Sequence, residues 1–254
     1  MGLRLSVVDA FTNRPFTGNP AAVAVVDAFP PADRMQAVAG EMHLSETAFV
    51  VARTDGDHDL RWFTPTTEVD LCGHATLAAA HILGGTARFH TRSGVLTCAQ
   101  GAGGMVEMDF PADPPEPAYP PANLGIAGVR WYGRARFDAV VELQDGAAVR
   151  AFQPDLARLA SIGTRGVIVT AAGDRAGVDC ISRMFAPNAG IPEDPVTGSA
   201  HCTLAVLWGE RTGKTSLCGE QASPRGGTVH MRRQGDRVVL GGHAVAVSEV
   251  RLLV

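Results

Sequence analysis

Residues 111–121, PADPPEPAYPP, hold six prolines in eleven positions. Each proline fixes φ and removes a backbone donor, so neither a helix nor a central strand survives in this segment. A stiff stretch just short of the midpoint of a 254-residue chain predicts two halves of ordinary domain size. The first is expected over residues 1–113 and the second over 114–243.

A repeat supports the same division. His74-Ala75-Thr76-Leu77-Ala78 recurs as His201-Cys202-Thr203-Leu204-Ala205, 127 residues further on. Both copies follow an acidic segment and a glycine, and both open an apolar run, which points to an internal duplication. Most of the remaining chain reads as short strands rich in Val, Phe and Thr between turn residues, among them TAFVVAR, DLRWFT, GVIVTAA and VDCISRMFA. Helices are few. Asp33 is expected to cap one that carries Met35, Val38 and Met42 on a single face, and Pro154-Asp155 to start a short one. The runs from Gly73 to about Leu83 and from Gly198 to about Trp208 are apolar on nearly every side, and such helices belong inside a domain. The expected class is α/β (α+β): two related domains, each a curved sheet around a central helix.

Composition removes several functions. With 22 Lys plus Arg against 26 Asp plus Glu, the net charge is −4 and no basic cluster is present, so nucleic acid and anionic membranes are poor partners. No apolar run is long enough to span a membrane, and the N-terminal region lacks the continuous apolar stretch of a signal peptide. Five cysteines, an odd number with no C-x-x-C, read as reduced thiols in a cytoplasmic protein. A Schiff-base enzyme would have to use the single lysine, Lys214. Gly209–Lys214 has three residues between its glycines where a phosphate loop has four. Gly213 is read as a helix C-cap. No G-x-S-x-G elbow is present, and Cys72-x-His74 is too short for two independent zinc ligands without a second pair.

Chemistry is expected at the starts of the two apolar helices. Gly73 and His74 open one, Gly198 and Ser199 the other, and their unpaired N–H groups at the positive dipole end suit a carboxylate or an enolate-like oxyanion. Proton-moving groups lie just before each start: Cys72 in the first copy, Glu193 and Asp194 in the second. A third candidate is Glu46, at the head of the strand in HLSETAFVV. A solvated turn for Glu46 and a buried apolar role for Cys72 remain open on spacing alone.

The motifs together resemble the phenazine-biosynthesis-like (PhzF-type) isomerase family. They are Asp9-Ala10-Phe11-Thr12, Phe16-Thr17-Gly18-Asn19-Pro20, Leu44-Ser45-Glu46-Thr47-Ala48-Phe49, Arg61-Trp62-Phe63-Thr64-Pro65, Glu68-Val69-Asp70-Leu71-Cys72-Gly73-His74 and Glu193-Asp194-Pro195-Val196-Thr197-Gly198-Ser199. The resemblance implies the diaminopimelate epimerase fold, two pseudo-symmetric domains with the active site between them and the last strand, 244–254, completing the first. It implies a cofactor-independent and metal-free isomerase, often a homodimer, acting on a small-molecule carboxylate that is amino acid-like or dihydroanthranilate-like. Glu46 would shuttle the proton as acid and base, and His74 and Asp194 would hold and polarise the substrate. Asn19, Cys72, Gly73, Gly198 and Ser199 would line its binding site. Cys72 keeps a two-base amino-acid racemase open, and a non-catalytic small-molecule binding protein is the alternative from another class.

Overall fold

The computed structural model describes residues 2–253. Two compact units divide the chain, one formed by residues up to 109 together with those from 241 onward, the other by residues 110–240.

The first unit begins with β1 (Leu3–Ala10), β2 (Asn19–Val26), α1 (Ala32–Met42), β3 (Glu46–Ala52), β4 (His58–Phe63) and β5 (Glu68–Val69). It continues with α2 (Gly73–Leu83), β6 (Ala87–Thr91), β7 (Gly94–Gln100) and β8 (Val106–Pro111). β1 pairs antiparallel with β2, β2 parallel with β3, β3 antiparallel with β4, and β4 parallel with β6, after which β6, β7 and β8 form an antiparallel meander. Every residue from Glu46 to Val50 is buried, because β3 is covered on both faces. Phe49 joins Leu5, Ala22, Met35, Val38 and Phe63 in a core under α1, while α2 also packs on β3. A strand buried on both faces cannot show the polar alternation of a half-exposed one.

The second unit repeats the plan. It contains β9 (Glu116–Pro117), β10 (Trp131–Arg134), β11 (Asp138–Glu142), α3 (Gly146–Ala151), α4 (Leu156–Ala160) and β12 (Gly166–Ala172). Then follow β13 (Cys180–Ala186), β14 (Ile191–Asp194), α5 (Gly198–Thr212), β15 (Ser216–Gln221), β16 (Gly227–Gln234) and β17 (Arg237–Gly242). The pairing order and directions match the first unit: β10 antiparallel to β11, β11 parallel to β12, β12 antiparallel to β13, β13 parallel to β15, and β15 antiparallel to β16. The last strand, β18 (Ala244–Leu252), runs antiparallel to β1 within the first unit.

Both central helices form because their sequences are apolar all round and are enclosed accordingly. His74 through Ala80 are all buried in α2, and α5 is buried at all but one position from Gly198 to Gly209. Packing beside α2 is so close that a Cβ at Gly242 would fall 2.4 Å from the Phe11 ring and 2.9 Å from Leu77. Gly213 closes α5 in the left-handed region at φ 71°, its N–H bonded to the Gly209 carbonyl. Asp155 caps α4 by accepting from the Arg158 N–H. Asp33 does not cap α1: the helix starts one residue earlier, behind Pro31, and Asp33 sits in its first turn, where a carboxylate still favours the dipole. In the proline-rich segment the chain forms the two-residue strand β9, which pairs only along β10, an edge position where missing donors cost nothing.

The two helices align at an offset of 125, two less than the HATLA/HCTLA match. The Thr76 N–H reaches the carbonyl of the N-cap Cys72, and the His201 N–H reaches that of the N-cap Thr197. The side chains at these positions repeat the contact: Thr76 Oγ1 donates to the Cys72 carbonyl at 2.5 Å, and His201 Nδ1 to the Thr197 carbonyl at 2.8 Å. His74 therefore corresponds to Ser199, and His201 to Thr76.

Candidate active site

In the first unit three buried side chains converge from two elements. Glu46 is the first residue of β3, Cys72 is the N-cap of α2, and His74 lies in the first turn of that helix. His74 Nε2 stands 3.1 Å from Glu46 Oε2, and Cys72 Sγ stands 3.5 Å from His74 Nδ1. Both Nε2 and Oε2 are shut off from solvent. Glu46 is 8% exposed, so the solvated-turn reading does not hold for it.

Position within the sheet explains the meeting. β2 and β3 are parallel with Ala21 opposite Glu46, so Asn19 begins its strand two residues before the partner of Glu46. Asn19 is fully buried. Helix α2 packs on β1, β2 and β3, which places its N-terminal turn at the strand heads. Cys72 has extended backbone and its side chain caps nothing, so the first-turn N–H groups, Gly73 among them, carry the positive end of the dipole there.

Electrostatics separates the roles. Burial would push the His74 imidazole down, but Cys72 and Glu46 beside it outweigh burial and hold His74 well above the usual histidine range. Burial pushes the Cys72 thiol up, and the Glu46 charge adds to this. At neutral pH Cys72 is then a neutral thiol.

The second unit builds the corresponding place with different chemistry. Thr197, the N-cap of α5, donates its hydroxyl to Asp194 Oδ2, and Gln221 holds the loop by accepting from the Thr197 N–H at 2.9 Å and donating to the Asp194 carbonyl at 2.7 Å. Gly198 and Ser199 form the first turn. Arg165, just before β12, donates to Ser199 Oγ at 2.9 Å and grips the buried Asp138 with two N–H groups. The predicted residues thus fall into two groups, Asn19, Glu46, Cys72, Gly73 and His74 in one unit, and Asp194, Gly198 and Ser199 in the other.

Arg165, Asp138 and Gln221 escaped the sequence reading. A signal for the first was available, since Arg165-Gly166 heads its strand as Ser45-Glu46 heads β3. A second duplicated feature also went unread: Arg61-x-Phe63-x-Pro65 with Glu68, and Arg183-x-Phe185-x-Pro187 with Glu193. Arg61 grips Glu68 with two bonds of 2.7 and 2.8 Å, Arg183 grips Glu193 with two of 2.7 and 2.9 Å, and each guanidinium lies over the phenylalanine two residues on. Glu193 is committed to that pair and is no proton carrier. Lys214 bonds Asp179 at the surface, with 57% of its side chain exposed, no setting for a Schiff base.

The duplicated sheet-and-helix architecture is the epimerase-like fold. The sequence matches the family described as phenazine biosynthesis-like protein over residues 8–250, and the chain belongs to that family. An uncharacterized isomerase of Pseudomonas aeruginosa is 48% identical over 96% of both chains. The crystal structure of a PhzF-family phenazine biosynthesis protein of Enterococcus faecalis has a TM-score of 0.94 at 38% identity and covers all of both chains. A hydroxyproline epimerase of Agrobacterium vitis shares the fold, with a TM-score of 0.64 at 11% identity, over 99% of this chain and 92% of its own. The protein is an isomerase of this family. No helix among the described residues is long and apolar enough to cross a membrane.

Proposed function

We propose that the protein catalyses a cofactor-independent proton shift on a small carboxylate-bearing substrate, with Glu46 as the single acid and base. The observation that carries this reading is the buried Glu46–His74 pair, 3.1 Å apart, beside the N-terminus of α2. A carboxylate with little water around it can meet a C–H group directly. Glu46 takes that proton, the electron pair moves into the conjugated carboxylate of the substrate, and the α2 N–H groups with the His74 imidazolium stabilise the oxyanion. Protonated Glu46 then returns the proton to a second carbon, which completes an isomerisation without net change in composition.

The neutral Cys72 thiol favours this reading over a two-base racemase. A second base would have to be a thiolate, which burial and the Glu46 charge both oppose. In the proposed scheme Asp194 and Ser199 contribute to binding the substrate's polar groups.

The test is incubation with a panel of small amino acids, hydroxy acids and dihydroaromatic carboxylates in D₂O, followed by NMR. A shifted double bond with deuterium at the new position supports the proposal. Exchange confined to Cα with racemisation would favour the two-base reaction, and neither would leave a binding protein.

A further inference from the structure

The three donors that meet at the head of β3 are of the types that hold zinc: a thiol sulfur, an imidazole nitrogen and a carboxylate oxygen. One ligand atom from each of Glu46, Cys72 and His74 can be chosen so that all lie within 4.8 Å of one another, and all three residues are buried. Glu46 Oε2 and His74 Nε2 are buried and face each other at 3.1 Å, so an ion that displaces the imidazole proton meets both. We propose that Glu46, Cys72 and His74 form an inhibitory site for a borderline-soft divalent cation, zinc above all, which blocks the isomerase by occupying its acid–base pair.

Zinc takes sulfur, nitrogen and oxygen donors at about 2.0–2.3 Å, and a tetrahedron of that size sets donor separations of about 3.3–3.7 Å. An ion held on His74 Nε2 meets Glu46 Oε2, whose 3.1 Å separation is close to such an edge; the Cys72 sulfur lies 3.5 Å from the other ring nitrogen, Nδ1, and reaches the ion by moving. Three protein ligands leave a fourth position for water, the pattern of open zinc sites. Hard cations such as magnesium prefer all-oxygen shells and are poorly matched by a thiol. Binding releases the thiol proton and the imidazolium proton to solvent, and the ion takes over their charge. With Glu46 and His74 both bonded to metal, neither moves a proton.

A second three-donor cluster among the described residues has carboxylates already engaged by arginines. Around Asp55, Asp57 and His90, Asp57 is already bonded to His90 at 2.7 Å and to Arg88 at 3.4 Å, and Asp55 to Arg53 at 3.2 Å. Its charges are spent on neighbours at the surface, and no cation is assigned there.

Cation binding is read without any substrate; only the inhibitory consequence rests on the proposed proton shift. The experiment is titration of chelator-treated, reduced full-length protein with Co²⁺, followed by Zn²⁺ competition. The expected result is a near-ultraviolet sulfur-to-cobalt absorption saturating at one equivalent and abolished by Zn²⁺. It should be absent in Cys72→Ser, and Co²⁺ affinity should fall at least tenfold in Glu46→Gln and in His74→Gln. No sulfur-to-cobalt band in the parent, or a band surviving in Cys72→Ser, overturns the site. If the site fills but Zn²⁺ leaves deuterium exchange unchanged, the inhibitory role is overturned. Absence of exchange in metal-free protein overturns the proton-shift reading and leaves the cation site standing.

Discussion

Glu46 and Cys72 lie in one cluster, yet their environments give them opposite tasks. Cys72 is held protonated by burial and by the neighbouring carboxylate, so its sulfur packs against His74 and fills space. Replacing it by Ser keeps a small hydroxyl in that space, and the Cys72→Ser protein should retain its exchange rate within about tenfold. Steady-state exchange by NMR checks this, and a loss of three or more orders of magnitude would make Cys72 a second base. Ser199, its neighbour Arg165 and the buried Asp138 form a chain in which the guanidinium donates to the Ser199 oxygen. The Ser199 hydroxyl is therefore left to act as a donor. The candidate residues were legible in the sequence because each lies next to a helix start or strand head that the apolar pattern marks. Arg165 also heads a strand, but its contact with Ser199, 34 positions along the chain, is not announced by local spacing.

At the scale of elements, α2 and α5 were readable to within a few residues because burial on all faces leaves an unbroken apolar run with a glycine at its start. The two-residue strand β5 and the short β14 were not, since they are set by the Arg61–Glu68 and Arg183–Glu193 grips rather than by any period. Those grips pin the segment that leads into each helix N-terminus. Arg183 is 9% exposed and also donates to the Phe152 carbonyl at 2.6 Å, so Glu193→Gln leaves a buried cation with much of its compensation gone. We expect a loss of about 3 kcal/mol in denaturant unfolding for Glu193→Gln. Asp55→Asn, at an exposed pair with Arg53, should leave stability almost unchanged. Equal losses in the two variants would refute the structural role of the buried pair. The slip of two residues between the HATLA repeat and the aligned helices has a physical cause as well. Alanine, threonine and leucine suit any buried helix position, so their match carries no register, whereas the shared bond to the N-cap carbonyl does.

Across the whole molecule, two buried histidines make stability depend on pH in opposite senses. Burial lowers His201 from 6.5 to about 4, so below pH 6.5 the unfolded chain binds a proton that the folded protein refuses. Stability is thereby lost as pH falls from about 6.5 to about 4, by about 3 kcal/mol in all. His74, raised by its neighbours, contributes stability that is present below about 6.5 and is lost as pH rises through its folded value. Chemical unfolding of the parent and of His201→Gln between pH 4 and 7 separates them: the variant should show the shallower fall on the acid side, and parallel curves would contradict the assignment. The duplication made the architecture legible at this scale, since each unit builds a helix N-terminus beside a strand head. One unit fills that place with an acid and an imidazole, the other with a hydroxyl and a guanidinium near Asp194. The most direct test is the rate of deuterium exchange in D₂O, catalysed by the parent and by Glu46→Gln, for any carboxylate the parent turns over. The account predicts a fall of about two to four orders of magnitude with unchanged fold and little change in ligand affinity. Exchange by Glu46→Gln at the parent's rate would contradict it.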